Sequence, residues 1–146
     1  MSKNRKNVVD ILLVEDNPGD VRLAREALLD ARVLTNLHVV NDGEQAITFL
    51  KDEAGNGLPD IIILDLNLPR KDGREVLAEI KTDPKLRHIP ILILTTSRAE
   101  QDIRSAYDLH ANCFITKAVD WERSCEIVKV IENFWLRTAT LPSHGS

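Results

Sequence analysis

Cysteine, aromatic residues and long apolar runs are all scarce in this chain, and each scarcity removes a class of function. The two cysteines, Cys113 and Cys125, lack CxxC spacing, so neither a disulfide framework nor a zinc knuckle is indicated, and both read as packing residues. Aromatic residues make up 4% of the chain, too few to stack against a flavin ring. The longest aliphatic runs, Ile61 to Leu64 and Ile91 to Leu94, fall far short of the ~18 residues needed to cross a bilayer. No membrane span is expected. Neither a GxGxxG turn nor a P-loop occurs, and Gly55-Asn56-Gly57 reads as a flexible turn because no helix follows it. Basic charge is not in excess: 19 Lys plus Arg face 23 Asp plus Glu, a net charge of -4. That balance speaks against nucleic acid or anionic lipid as a partner. His38, His88, His110 and His144 are scattered without ligand spacing and read as surface residues.

What is present fits one compact domain. The 146 residues are 43% hydrophobic and 29% charged, enough to bury a single core and too few for two. The start of the chain meets Asp10 and Glu15 before any signal-like apolar stretch develops, so a cytoplasmic location is expected. Residues 1–7 and 138–146 are expected to be flexible ends around a domain over 8–137. The tail TATLPSHGS is too short for an output domain.

Hydrophobic period divides the chain into alternating strands and helices. Val8 to Val14 reads as a strand covered on both faces. Asn17 is the N-cap and Pro18 the first position of a helix carrying Val21, Ala24, Leu28 and Ala31 at helical spacing. Leu37 to Val40 is a short strand, and a second helix from Asp42-Gly43 has Ala46, Ile47 and Leu50 on its inner face. The pattern continues with a strand over Asp60 to Asp65, a helix over Gly73 to Asp83 and a strand over Ile89 to Thr95. A helix over Ala99 to His110, a strand over Cys113 to Thr116 and a helix from Asp120, its cap, to about Arg137 complete it. Five βα units predict an α/β fold, an open and doubly wound (βα)5 parallel sheet. In such sheets the ligand crevice lies beyond the carboxyl ends of the strands.

Those ends carry Glu15-Asp16, Asp65, Thr95 and Lys117. Taken singly, an acid beside a strand end usually caps the next helix. Jointly they suit other chemistry. Carboxylates a few ångströms apart repel by about 1–4 kcal/mol per pair, so three converging acids call for a cation or a shared proton. All-oxygen ligation suits Mg2+ better than zinc, and a nearby lysine and hydroxyl suit a phosphoryl group.

The segments LLVEDNPGD, DIIILDLNLPRKDG, ILILTTS and FITK resemble the receiver domain of two-component response regulators, the CheY-like fold, from Val8 to about Leu136. The resemblance implies strand order 2-1-3-4-5. It implies Asp65 as phospho-acceptor, with Glu15, Asp16, Asp65 and the backbone carbonyl of Asn67 holding Mg2+. Thr95 and Lys117 would contact the phosphoryl group, and Phe114 would fill the aromatic switch position. Such a protein accepts its phosphoryl group from a partner histidine kinase and signals through a changed protein-binding surface; it is not an enzyme acting on metabolites. Two positions depart from the family pattern. Lys117 is followed by Ala118 where a cis-proline is common, and a cis peptide at Ala118 would cost about 2.5–4 kcal/mol; Thr96 stands where Ala or Gly is frequent. These departures keep open a degenerate receiver that binds partners without phosphorylation. A flavodoxin-type module is opposed by the acids, and a phosphatase using Asp65 by the absence of a second acid two residues on.

The last helix is apolar over an unusually wide arc. Trp121, Val128 and Ile131 are expected in the core, while Ile127, Val130, Phe134 and Trp135 are candidates for an apolar interface. A homodimer through the last strand and helix is expected. The ending ENFWLRTATLP is similar to single-domain response regulators that pair with bacterial phytochrome kinases, which implies such a kinase as partner.

Overall fold

The computed structural model describes residues 8–29, 34–52, 57–117, 121–131, 133–135 and 139–142. The expectations for residues 1–7, Ala31, Gly55-Asn56, Ala118, the Asp120 cap, Leu136 to Arg137 and residues 143–146 fall outside these. So do those for the side chains of Trp121, Cys125 and Val128.

Strands and helices alternate from end to end: β1 (Val8–Val14), α1 (Pro18–Leu29), β2 (Leu34–Val40), α2 (Gly43–Lys51) and β3 (Ile61–Leu64), then α3 (Gly73–Thr82), β4 (Ile91–Thr95), α4 (Glu100–Asp108), β5 (Cys113–Thr116) and α5 (Trp121–Ile131). All strand pairs are parallel, and the sheet runs β2-β1-β3-β4-β5. This is the doubly wound order expected.

The continuous apolar runs reflect burial on both faces. Ile11, Leu13, Ile61, Ile63 and Leu92 gather with Val21, Ala24 and Leu28 of α1 and Ile127 and Ile131 of α5. Alternate residues, Leu12, Val14, Ile62, Leu64, Ile91 and Ile93, gather with Leu50 of α2, Val76, Leu77 and Ile80 of α3, and Ala106 of α4. Each fully buried Ile or Leu contributes about 1.5–3 kcal/mol, so the sheet is held from both sides.

Caps fix where three helices begin. Asn17 Oδ1 accepts from the Asp20 N–H at 3.1 Å, and Asp42 Oδ1 from Gln45 at 2.8 Å. Asp72 and Glu75 form a reciprocal capping box on α3; one such cap is typically worth about 1 kcal/mol.

Several boundaries differ from the sequence expectation. β2 begins at Leu34, not Leu37, because it is an edge strand whose polar Asn36 pairs with Asp10 (Nδ2 to Oδ1, 3.1 Å) and breaks the apolar run. β3 excludes both terminal acids. β4 starts at Ile91, after Pro90, which has no N–H to give the ladder. α4 ends at Asp108, followed by His110 at φ 73°, a left-handed conformation that stops a helix. The regular part of α5 ends at Ile131, and a π-type turn occupies 133–135. Among the described residues, no helix is long and apolar enough to cross a membrane.

Candidate functional site

The chain leaves β1 toward β2 on one side while β3 lies on the other, so a crevice opens above the carboxyl ends of β1 and β3. Sheet hydrogen bonding continues into the residues that line it. The Glu15 N–H donates to Val40 O at 3.0 Å, Asp65 N–H to Val14 O at 3.1 Å and Lys117 N–H to Thr95 O at 2.6 Å. The backbones of the site residues are therefore fixed by the sheet.

Their side chains converge. Oxygens of Glu15, Asp16 and Asp65 lie within 4.8 Å of one another, Glu15 and Asp65 buried and Asp16 exposed. The Lys117 ammonium donates to Glu15 Oε1 at 2.6 Å, Asp20 Oδ2 at 2.8 Å and Asp65 Oδ2 at 3.1 Å. The second oxygens are also held: Glu15 Oε2 by the Asn17 N–H and Asp65 Oδ1 by the Asn67 N–H, both at 3.1 Å.

Three carboxyl groups thus bind one ammonium, and a fourth, that of Asp16, lies beside two of them. Burial pushes the Glu15 carboxyl above its usual range, and its bond to Lys117 only partly reverses this. Burial alone would lower the Lys117 pKa, but hydrogen bonds to Asp20 and Glu15 and the charges of Asp65 and Glu15 raise it well above the ordinary lysine value. The lysine stays charged, and the cluster is still short of positive charge. A hard divalent cation fits that deficit, with Glu15, Asp16 and Asp65 as oxygen donors.

The other sequence candidates fall around this centre. Asn67 is exposed, two residues beyond Asp65. Thr95 is fully buried at the end of β4, its Oγ1 in a long 3.5 Å contact with the Ser97 N–H; Thr96 is exposed. Phe114, in β5 opposite Ile93, packs against the core on the α2, α3 and α4 side, and its N–H donates to Tyr107 Oη at 3.2 Å. The apolar quartet of the last helix divides. Ile127 and Trp135 are partly buried against the α1 and α5 core, whereas Val130 and Phe134 are 61% and 52% exposed. Phe134 and Trp135 meet edge to face at 5.5 Å.

Two features were missed in the sequence. Asp20, a residue with no role in the sequence reading, reaches Lys117; the available signal was an acid in the first turn of a helix leaving the acidic strand end. The other is a chain of contacts behind Thr95. Ser97 Oγ donates to Asp102 Oδ2 and Arg74 Nη2 to Asp102 Oδ1, each at 2.6 Å.

Comparison with known proteins bears on the whole of this arrangement. The profile of the response regulator receiver domain matches residues 11–129. Response regulator Rcp1 of Synechocystis sp. is 46% identical over 136 residues, covering 91% of this chain and 92% of that protein. Among solved structures, the phosphorylated cyanobacterial phytochrome response regulator RcpA is 53% identical with a TM-score of 0.89, covering 92% of this chain and 99% of its own. The Mn2+-bound form of Rcp1 is 46% identical with the same TM-score and coverage. With a profile match over most of the chain and relatives of nearly equal length, the chain belongs to the response regulator receiver domains and is similar to phytochrome response regulators.

Proposed function

We propose that this chain receives a phosphoryl group on Asp65 from the phosphohistidine of a phytochrome-type sensor kinase, in a Mg2+-dependent reaction. The observation that carries the reading is the seat of Asp65: buried, held at one oxygen by the Asn67 N–H and at the other by the Lys117 ammonium, beside Glu15 and Asp16. In the transfer, a carboxylate oxygen of Asp65 forms the new P–O bond. The N–P bond to the kinase imidazole breaks, and its electron pair returns to the imidazole nitrogen. Lys117 faces the negative charge on the phosphoryl oxygens, and the Thr95 hydroxyl, at the neighbouring strand end, donates a hydrogen bond to one of them. Glu15, Asp16, Asp65 and the Asn67 carbonyl would hold Mg2+, which supplies positive charge against the phosphoryl oxygens.

Signalling then proceeds by a population shift, with Thr95 and Phe114 coupling the site to the surface of α4, β5 and α5. The chain acts as a cytoplasmic switch and not as a metabolic enzyme. We assign Val130 and Phe134, flanked by Ile127 and Trp135, to a twofold homodimer contact.

Intact mass after incubation with Mg2+ and a small phosphodonor tests the acceptor. The native chain gains one phosphoryl group, Asp65→Asn gains none, and chelator abolishes the gain. A native chain that stays unlabelled across acyl phosphate and phosphoramidate donors would overturn the assignment.

A further inference from the structure

The Lys117 ammonium has three N–H bonds, and each meets a carboxylate, from Glu15, Asp20 and Asp65. The three partners are not equivalent. Glu15 and Asp65 belong to the trio of converging oxygens, where a divalent cation would compete with the ammonium for the same lone pairs and repel it directly. Asp20 stands outside that trio. It lies in the first turn of α1, its N–H bound by the Asn17 side chain, where the helix dipole favours negative charge. Its side chain is 39% exposed, against 4% for Glu15 and 8% for Asp65. Asp20 is therefore the partner that a cation in the cluster leaves in place.

We propose that Asp20 is a positioning residue for phosphoryl transfer, anchoring the Lys117 ammonium beside Asp65 when a metal ion claims Glu15 and Asp65. This rests on the acceptor reading of Asp65 given above. The backbone of Lys117 is fixed through its N–H to Thr95 O, but the flexible stem of a lysine does not by itself fix the position of its charge. A charge held in place before the reaction stabilises the transition state more than one that must be gathered during it. Asp20 supplies that fixity from α1, across the crevice from β5.

Two measurements separate this role from a structural one. In the first, Mn2+ affinity is determined by calorimetry for the native chain, Asp20→Asn, Lys117→Met and the double variant, all without phosphodonor. Released from Asp20, the ammonium settles on Glu15 and Asp65, so Asp20→Asn weakens Mn2+ binding by about tenfold in the native background. In the Lys117→Met background it changes binding by less than about twofold. Equal effects in both backgrounds would overturn the proposal, because Asp20 would then act through its own charge or through α1. The second measurement is the initial rate of labelling by a small phosphodonor with Mg2+. Asp20→Asn labels about tenfold more slowly than the native chain, and Asp20→Glu, which restores the charge, recovers to within about threefold. Equal rates for the native chain and Asp20→Asn would likewise overturn it. A native chain that takes no label defeats the acceptor reading alone, and the Mn2+ cycle then decides the role of Asp20.

Discussion

A methyl group at position 73 would lie 2.3 Å from the carbonyl oxygen of Asp65 and 2.6 Å from the Leu66 Cα. Both neighbours are backbone and cannot turn away. Gly73 also donates its N–H to Leu66 O at 2.9 Å, so α3 begins against the very loop that carries Asp65, the proposed acceptor. Gly73→Ala is expected to destabilise the fold by about 1–3 kcal/mol and to slow labelling of Asp65, since the loop must shift to admit the Cβ. Chemical denaturation and the mass assay measure the two effects, and native values in both would refute the steric argument. The position of the candidate site residues was legible in the sequence for a simple reason. Glu15, Asp16, Asp65, Thr95 and Lys117 end or follow apolar runs, and a parallel sheet puts all those ends on one edge. Asp20 was not legible, because its reach to Lys117 depends on the angle at which α1 leaves β1.

At the scale of elements, α4 is tied at both ends. Near its start, Asp102 accepts from Arg74 of α3 and from Ser97 of the loop that follows Thr95; farther on, Tyr107 accepts from the Phe114 N–H of β5. The hydrogen bond from Ser97, then that from Arg74, holds the Asp102 carboxyl below the usual carboxylate range. A folded-state pKa below the unfolded value gives stability that is present above about pH 4 and lost as pH falls through the folded value. Acid should therefore loosen the start of α4. Amide exchange over 97–106, corrected for its intrinsic pH dependence, is expected to rise several-fold in Asp102→Asn at neutral pH. In the native chain the same rise is expected on acidification below pH ~4. Equal protection in the two proteins at neutral pH would show that the contacts do not restrain α4. The central strands were legible as apolar runs buried on both faces. β2 was only half legible, because an edge strand need not be apolar throughout, and the Arg74 to Asp102 tie joins residues far apart in sequence with no local period to announce it.

At the scale of the whole molecule, the width of the apolar arc on the last helix left two outcomes open in the sequence, since coverage depends on how much sheet α1 leaves free. Packing divides the arc: Ile131 is buried, Ile127 and Trp135 are partly covered, and Val130 and Phe134 face outward. Val130 and Phe134, both more than half exposed and close together at the end of the last helix, favour an isologous contact, in which the same patch serves both copies. Burying the exposed part of Phe134 is worth about 1–2 kcal/mol in each copy, and an isologous interface counts it twice. Phe134→Asp is therefore expected to raise the dissociation constant of the proposed dimer by about 30-fold or more. Thermal unfolding at a concentration where both proteins are monomeric should change little, because the side chain contributes little to the chain's own core. Sedimentation velocity across a concentration series, with and without phosphodonor, reads the association directly. A native chain that remains monomeric throughout, or a variant that associates as the native chain does, would remove Val130 and Phe134 from any dimer contact and leave them available to a different partner.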